Sequence, residues 1–430
     1  MYNFHSLISL KLIIIIIFFI PKISPSTLSL VSISPGLYGI YLSIGYPSQS
    51  FLLLLDTSSD YTWVRGNNCT FCSYTENIYD EKNSISSIIT EIPYTTIVDI
   101  RGSVSGKIIL DDIKIGEYYC NKLEILLASE DEFLDLADGV LGMDIMNKTG
   151  ANNLIISKLY KSGSIKNMIF SINVKEELNA SLTIGEIPKY IKENKNNYSV
   201  CKVRIVNNKS YNWNCLISHI IFDNDFNYYQ AISIDVIVNF STGVSGIYIP
   251  LNYIDLFINN YFHTFINYDN KKCIIKKISN TQKILCLTNF INENENKNIY
   301  FILNGFAYNV PFEDLFEDIY NDNYNNYKVF KIEFTDTPRN EWYFGTVFLK
   351  QYEIVFDGEK LEIGFYNGFR YDFTKFTNDN HESFCWYNFI SIVLLMLVLL
   401  IPIFQTIWKN KMSENKLNFI VINKNNLFFF

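Results

Sequence analysis

The sequence predicts an all-β protein with two lobes that share an internal repeat. Short apolar runs alternate with polar residues and are separated by turn residues along most of the 430-residue chain, which is typical of half-buried strands. Helical patterns are limited to residues 152–162 and 251–261. Two apolar strands, 51–55 and 236–238, each lead into a loop rich in small polar residues. We therefore expect two similar lobes, which also suits a chain too long for one typical domain.

Composition and charge exclude some classes of function. The net charge of −8 argues against a nucleic-acid surface. A lysine-rich run such as 192–195 reads as a solvated turn. The 48% hydrophobic content is raised by apolar stretches at both ends, but the middle still offers enough apolar residues for sizeable cores.

The first apolar stretch predicts a secretory signal. Lys11 precedes the apolar residues 12–20, and Pro and Ser follow in 21–26. A membrane span needs about 20 apolar residues, so this stretch fits the centre of a signal peptide better. We expect residues 1–25 to form the signal. Little room for a long prosegment then remains before Tyr38.

The second apolar stretch predicts a membrane anchor. Residues 389–407 are apolar apart from three polar residues, and Trp386 and Trp408 frame them as rings at two interfaces would. Lysines follow the stretch and acidic residues precede it, which orients the chain as a single-pass type I protein of the secretory pathway or cell surface. We expect a transmembrane helix at 388–408 and a cytosolic tail at 409–430. A buried C-terminal helix is the alternative, but such helices are rarely apolar all round.

The eight cysteines suit an oxidising compartment. Cys273 and Cys286 bracket two strand-like runs that a hairpin would bring together, and Cys201 and Cys215 flank another turn and could pair likewise. Asn-x-Ser/Thr sequons, compatible with glycosylation there, occur at Asn68, Asn147, Asn179, Asn197 and Asn208.

The order of motifs resembles the pepsin-type aspartic proteases, the peptidase A1 family. The matching pieces are, in chain order, Tyr38, residues 44–51, Asp56-Thr57-Ser58-Ser59, Trp63-Val64, residues 102–106, 137–142, 181–185 and 241–250, Asn304-Gly305, and residues 342–352. The resemblance covers nearly the whole body between the two end segments. It implies a two-lobed β-barrel or sheet fold with a cleft between the lobes. We place an N-terminal lobe at 36–190 and a C-terminal lobe at 196–372.

The chemistry of this family needs two carboxyl groups that share one proton, one acting as base and the other as acid. Asp56 matches the first position. Counting back from Pro250, the second position falls on Ser241, and a rival alignment with two inserted residues puts Asn239 there. Neither side chain supplies an ionisable group. Asp235 is a nearby carboxylate, but it lies too far from the Thr-Gly that shapes the loop.

Further positions carry family roles by resemblance. Thr57 and Thr242 are expected to hydrogen-bond across the lobe interface, Gly243 shapes the second loop, and Ser59 is expected to hydrogen-bond the first carboxylate. Asp99 falls where the flap tyrosine lies in relatives. The remaining departures from the family pattern are Ser58, Val244 and Thr346.

Relatives also often carry a small disulfide loop where Cys69 and Cys72 stand. A zinc interpretation of this Cys-x-x-Cys would need a second ligand pair, and the sequence has none. Cys120 and Cys385 stay unassigned. We expect no metal and no cofactor.

These observations favour a monomeric, membrane-anchored pseudoprotease that binds a peptide or protein ligand in its cleft. An active aspartic-type endopeptidase, in which Asp99 or another acid completes a remodelled dyad, is the first alternative. A purely adhesive surface protein, with its cleft blocked by side chains, is the second.

Overall fold

The computed structural model describes most of the body and one short segment near the C-terminus. The described residues are 26–70, 72, 77–92, 94–98, 101–132, 137–145, 154–204, 212–223, 231–264, 272–278, 281–293, 297–319, 326–335, 341–366, 370–372 and 400–411.

β-Strands dominate these residues, as the alternating sequence pattern predicts. In chain order they are β1 (Ser26–Ser29), β2 (Val31–Ser34), β3 (Leu37–Ile44), β4 (Gln49–Asp56), β5 (Thr62–Arg65), β6 (Ile88–Ile89), β7 (Thr95–Val98), β8 (Ser103–Ile115), β9 (Tyr118–Asp131), β10 (Gly139–Gly142), β11 (Ile169–Asn173), β12 (Ser181–Ile184), β13 (Tyr198–Lys202), β14 (Asn214–Asp223), β15 (Ile232–Phe240), β16 (Ile247–Pro250), β17 (Cys273–Ile278), β18 (Thr281–Leu287), β19 (Asn298–Leu303), β20 (Phe306–Val310), β21 (Phe316–Asp318), β22 (Tyr327–Phe330), β23 (Ile332–Thr335), β24 (Trp342–Phe344), β25 (Glu353–Asp357), β26 (Glu362–Tyr366) and β27 (Arg370–Asp372).

The predicted helices are present, together with shorter ones. The α-helices are Ile155–Lys161, Lys189–Glu193, Ile254–Asn260, Thr288–Glu293, Phe312–Leu315 and Thr346–Leu349, and residues 400–411 form a further helix. The first and third fall inside the predicted ranges. The other four of the body, with four to six residues each, are too short to show a helical period in the sequence. Single 3₁₀ turns lie at Glu81–Asn83, Glu177–Asn179, Lys195–Asn197, Leu251–Tyr253 and Phe262–Thr264.

The strands of the described residues assemble into three sheets. The first sheet has the order β2-β3-β4-β10-β5-β9-β8-β6, with β7 paired to β8. The second has the order β21-β22-β18-β23-β16-β24-β15-β14-β19-β20-β27, with β17 paired to β18. The third, six-stranded sheet has the order β1-β12-β11-β25-β26-β13, so it takes strands from both halves of the chain. This shared sheet explains why the described residues up to Tyr371 form one compact unit. The lobe bounds 36–190 and 196–372 stay a prediction.

The internal repeat is visible in how the central strands pair. β4 runs parallel to β10, which pairs antiparallel with β5. In the second half, β15 runs parallel to β24, which pairs antiparallel with β16. β4 is buried on both faces, since Leu53 and Leu55 pack in the main core and Leu54 packs in a second cluster with Trp63 and Val140. A central strand with two buried faces reads as a continuous apolar run, as 51–55 does.

Three disulfides join the six described candidate cysteines. Cys273 and Cys286 face each other in the β17–β18 hairpin, as predicted. Cys69 and Cys72 also pair. Cys201 pairs with Cys215 as predicted, but the predicted hairpin between them is wrong, because β13 and β14 lie in different sheets. The bond therefore ties two sheets together.

Several predictions fall largely or wholly outside the described residues. They are the signal at 1–25, the tail at 409–430, the flap position Asp99, the sequons Asn147 and Asn208, and Cys385. The predicted anchor is described only from residue 400, where the chain is helical and its apolar side chains are exposed. Among the described helices, none has both the length and the apolar character that a bilayer crossing requires.

Candidate functional site

Two threonines bind the β4 loop to the β15 loop by reciprocal hydrogen bonds. Thr57 Oγ1 donates to the Phe240 carbonyl at 2.7 Å, and Thr242 Oγ1 donates to the Leu55 carbonyl at 2.7 Å. Each hydroxyl also accepts the backbone N–H of the other threonine, at 3.2 and 3.1 Å. The pattern has approximate twofold symmetry, in which Leu55 corresponds to Phe240 and Thr57 to Thr242.

That symmetry puts Ser241 opposite Asp56, because Asp56 lies between Leu55 and Thr57, and Ser241 lies between the corresponding residues Phe240 and Thr242. Both side chains are buried, with 1% of each residue exposed. Ser241 Oγ lies 3.1 Å from Asp56 Oδ1. Asn239, the rival position, instead directs its Nδ2 at Glu341, 3.2 Å away.

Ser58 provides the local support of the Asp56 carboxylate. Its backbone N–H and its hydroxyl both donate to Asp56 Oδ1 at 2.8 Å, and its Oγ lies 2.8 Å from Ser241 Oγ. The bond from the N–H two residues on is the turn that aspartate side chains readily form. Two serine hydroxyls and one amide therefore surround a single carboxylate oxygen.

The predicted hydrogen bond from Ser59 to this carboxylate is wrong. Ser59 Oγ donates to the Tyr61 carbonyl at 2.9 Å, and the Ser59 N–H faces the Asp56 carbonyl at 3.4 Å. Ser58 takes the supporting place because both its backbone N–H and its hydroxyl reach back to Oδ1.

The second carboxylate oxygen is held by an arginine. Arg101 Nη2 lies 2.7 Å from Asp56 Oδ2, and Arg101 Nη1 lies 3.4 Å from the Gly243 carbonyl. Arg101 lies just before β8, at the end of the β7–β8 hairpin connection, and its side chain is 13% exposed. The guanidinium therefore spans from one half of the repeat to the other.

Gly243 allows this close packing. A Cβ atom at this position would lie within 2.5 Å of Asp56 Oδ2, which real Cβ atoms do not tolerate. The absence of a side chain lets the second loop pass directly over the carboxylate. Gly142 and Gly345 serve similarly at the ends of the two apolar-apolar-Gly pieces, where a Cβ would meet the Tyr61 carbonyl and the Val244 carbonyl respectively.

A second carboxyl, Asp144, is buried behind the site. The backbone N–H groups of Met143 and Asp144 donate to the carbonyls of Asp56 and Ser59 at 2.9 and 3.2 Å. Asp144 Oδ1 accepts the Ile145 N–H at 2.7 Å. Burial raises the pKa of this carboxyl well above its ordinary value, and the nearby charges of Asp60 and Asp56 add to the rise.

The other two departures from the family pattern, Val244 and Thr346, make hydrogen bonds that involve backbone groups. Val244 is buried, and its carbonyl accepts the Thr346 N–H at 3.0 Å. Thr346 Oγ1 donates to the Gly36 carbonyl at 2.5 Å, so it links the β2–β3 turn to the second half of the repeat. Within the described ranges, no group of three or more His, Cys, Asp or Glu side chains is placed to hold a metal ion.

Sequence reasoning missed Arg101 and misjudged Ser58. One signal was available: Arg101 is one of only five arginines in a chain with 36 basic residues. It also stands next to Gly102 in the predicted flap region. A guanidinium forms planar, two-pronged hydrogen bonds that an ammonium cannot, so a rare arginine beside a predicted site was a candidate ligand for the carboxylate.

The fold and the paired loops define a pepsin-like protein. The sequence profile of the eukaryotic aspartyl proteases matches residues 37–367, so the chain belongs to the eukaryotic aspartyl protease family. The crystal structure of an aspartic proteinase from Irpex lacteus superposes with a TM-score of 0.61, over 80% of this chain and 97% of that one, at 16% identity.

Individual relatives match a smaller part of the chain than the family profile does. Plasmepsin VIII of Plasmodium berghei is 31% identical over 164 residues, which is 36% of this chain and 44% of that protein. Polyporopepsin of Irpex lacteus is 24% identical over 159 residues, which is 35% of this chain and 43% of that protein. The chain thus aligns with less than half the length of these relatives.

Proposed function

We propose that this chain is an aspartyl protease homologue that is proteolytically inactive or strongly impaired, and that it binds a peptide or protein ligand in the cleft. The observation that carries the proposal is the pairing of Asp56 with Ser241. Peptide hydrolysis by this family needs a carboxylate base and a carboxylic acid at the same time. A serine hydroxyl can donate one hydrogen bond but cannot serve as the base.

The contacts of Asp56 support this proposal. Within the described residues its carboxylate faces the Ser58 amide, two serine hydroxyls and the Arg101 guanidinium. All of these groups can donate, which suits an ionised carboxylate. Arg101 also occupies the second carboxylate oxygen, Oδ2, so both oxygens of Asp56 already face donors. Loss of a required catalytic group commonly lowers the rate about 10³-fold or more.

Calorimetry with a pepstatin-like inhibitor tests the proposal. The central hydroxyl of such an inhibitor is held by two carboxylates, so we expect no measurable binding by the wild-type chain. The matched variant Ser241→Asp restores a second carboxylate and should gain affinity, more so in combination with Arg101→Ala. Tight binding by the wild-type chain would contradict the proposal.

The alternative, an active endopeptidase with a remodelled dyad, has one observation in its favour. Asp144 is a second carboxyl that interacts electrostatically with Asp56 and whose raised pKa favours its protonated form. The Asp144 carboxyl, however, accepts backbone N–H groups of Ile145 and Trp213, and among the described residues no hydrogen bond joins it to Asp56. Peptidase activity that Asp144→Asn abolishes would establish this alternative.

We also propose that the protein is anchored in a membrane of the secretory pathway or cell surface. The apolar stretch 389–407 supports an anchor, and the three disulfides suit an oxidising lumen or exterior. Protease protection of intact membrane vesicles tests the orientation. Digestion of the body from the cytosolic side would contradict it.

A further inference from the structure

We propose that Asp56 has a structural role in this chain, in which it pairs with Arg101 and so holds the β7–β8 hairpin against the two paired loops. Arg101 lies between β7 and β8, and its Nη2 lies 2.7 Å from Asp56 Oδ2. The inference goes beyond the proposed function, because this role requires neither a cleft ligand nor a reaction. It assigns the Asp56 carboxylate a task for which no second carboxyl group is needed.

β7 is the strand of this hairpin that needs support. Among the described strands it pairs only with β8, whereas β8 continues into a long pairing with β9. Side chains of β7 alternate in exposure, so that Val98 is 68% exposed and Ile97 packs against the cluster around Trp63. Two-stranded hairpins are marginally stable in water at best. A contact at the end of the hairpin therefore decides how firmly β7 is held.

Arg101 provides such a contact from a largely buried position. Its side chain is 13% exposed and that of Asp56 is 1% exposed, so salt and water screen their attraction little. Arg101 Nη1 also lies 3.4 Å from the Gly243 carbonyl. The guanidinium thus joins the hairpin to the loop after β4 and to the loop after β15, in the forked geometry that distinguishes arginine from lysine.

The carboxylate is fixed in the orientation that this pair requires. Asp56 Oδ1 accepts hydrogen bonds from the Ser58 amide and the Ser58 hydroxyl, and Ser241 Oγ lies 3.1 Å from the same oxygen. These contacts leave Oδ2 directed at Arg101. A second carboxylate in the place of Ser241 would repel the first, since like charges disfavour each other's ionised form. The serine instead offers a donor and so favours the ionised Asp56 that pairs with arginine.

This role predicts the sign of the effect of Asp56 on stability. Removal of one partner from a buried charge pair is strongly destabilising, because the other charge then stays buried without its partner. A carboxylate kept beside a second one for catalysis is instead a source of instability. Asp56→Asn, which keeps the shape of the side chain but removes its charge, should therefore lower the melting temperature by several degrees.

Hydrogen exchange of the full-length protein in detergent tests where this stability acts. We expect Asp56→Asn to speed amide exchange in residues 95–106 at least about tenfold. The reference segment is the β17–β18 hairpin, residues 273–287, because β17 likewise pairs only with β18 among the described strands; its exchange should stay unchanged. The control variant Lys107→Ala breaks a more exposed ion pair of β8, with Glu81, and should leave both hairpins as in the wild type.

Wild-type exchange of residues 95–106 in Asp56→Asn, equal acceleration of both hairpins, or a higher melting temperature would overturn the inference. If Asp56→Asn does not fold, Arg101→Gln decides the question, since it removes the other charge and leaves Asp56 in place. The same faster exchange of residues 95–106 is expected there, and unchanged exchange would overturn the inference. A peptidase assay of the wild-type protein tests inactivity separately, so a failure of the proposed function and a failure of this inference are distinguishable.

Discussion

Replacing Thr57 by valine probes the bonds that hold the two loops together at the site. The change keeps the shape of the side chain but removes the hydroxyl, which donates to the Phe240 carbonyl at 2.7 Å and accepts the Thr242 N–H at 3.1 Å. Both partners are buried. A buried group left without its partner costs about 1–3 kcal/mol. We therefore expect Thr57→Val to lower the free energy of unfolding by about 2–6 kcal/mol, summed over the two groups.

Urea denaturation followed by tryptophan fluorescence measures this loss, and a double-mutant cycle with Thr242→Val measures the coupling. The double variant should lose less than the sum of the single losses, by about 0.5–3 kcal/mol, because the two hydroxyls serve one network. Thr96→Val is the control, since among the residues that the structure describes this hydroxyl hydrogen-bonds only the Ser105 hydroxyl on the neighbouring strand. A loss below about 1 kcal/mol for Thr57→Val, or strict additivity, would refute the reasoning.

Three further changes follow from the same contacts. The raised pKa of Asp144 favours the fold at low pH, and this stability is lost as pH rises through the folded-state pKa. Asp144→Asn should therefore raise the melting temperature at neutral pH by a few degrees and leave it nearly unchanged in acid. An equal effect at all pH values would contradict this. Replacing Cys273 and Cys286 by alanine should cost about 2–4 kcal/mol in chemical denaturation, and an unchanged midpoint would show that the hairpin needs no bond. Gly243→Ala should displace the second loop and lower the melting temperature by several degrees in calorimetry, whereas wild-type stability would mean that the loop yields freely.

The repeat could be predicted from the sequence because its signals are local. An apolar run such as 51–55 identifies a strand buried on both faces, and the Gly at the end of each apolar-apolar-Gly piece marks a close approach of two backbones. Cys273 and Cys286 were paired correctly because the turn between them is short and their strands are adjacent. In each case the decisive residues lie within one or two strands of each other.

What the sequence did not reveal depends on contacts between distant segments. Arg101 reaches a carboxylate 45 positions earlier in the chain, and nothing in its immediate neighbours specifies that direction. The choice between Ser58 and Ser59 as support for Asp56 depends on how the backbone turns after β4. The Cys201–Cys215 bond joins two sheets whose contact is set by the whole fold.

The most direct test of the account is cleavage of an unfolded protein substrate by the purified protein from acidic to neutral pH, beside its Asp56→Ala variant. The pairing of Asp56 with Ser241 and Arg101 predicts that both proteins leave the substrate intact to the same extent. Cleavage by the wild-type protein that Asp56→Ala abolishes would contradict it, and would mean that a second acid completes the site.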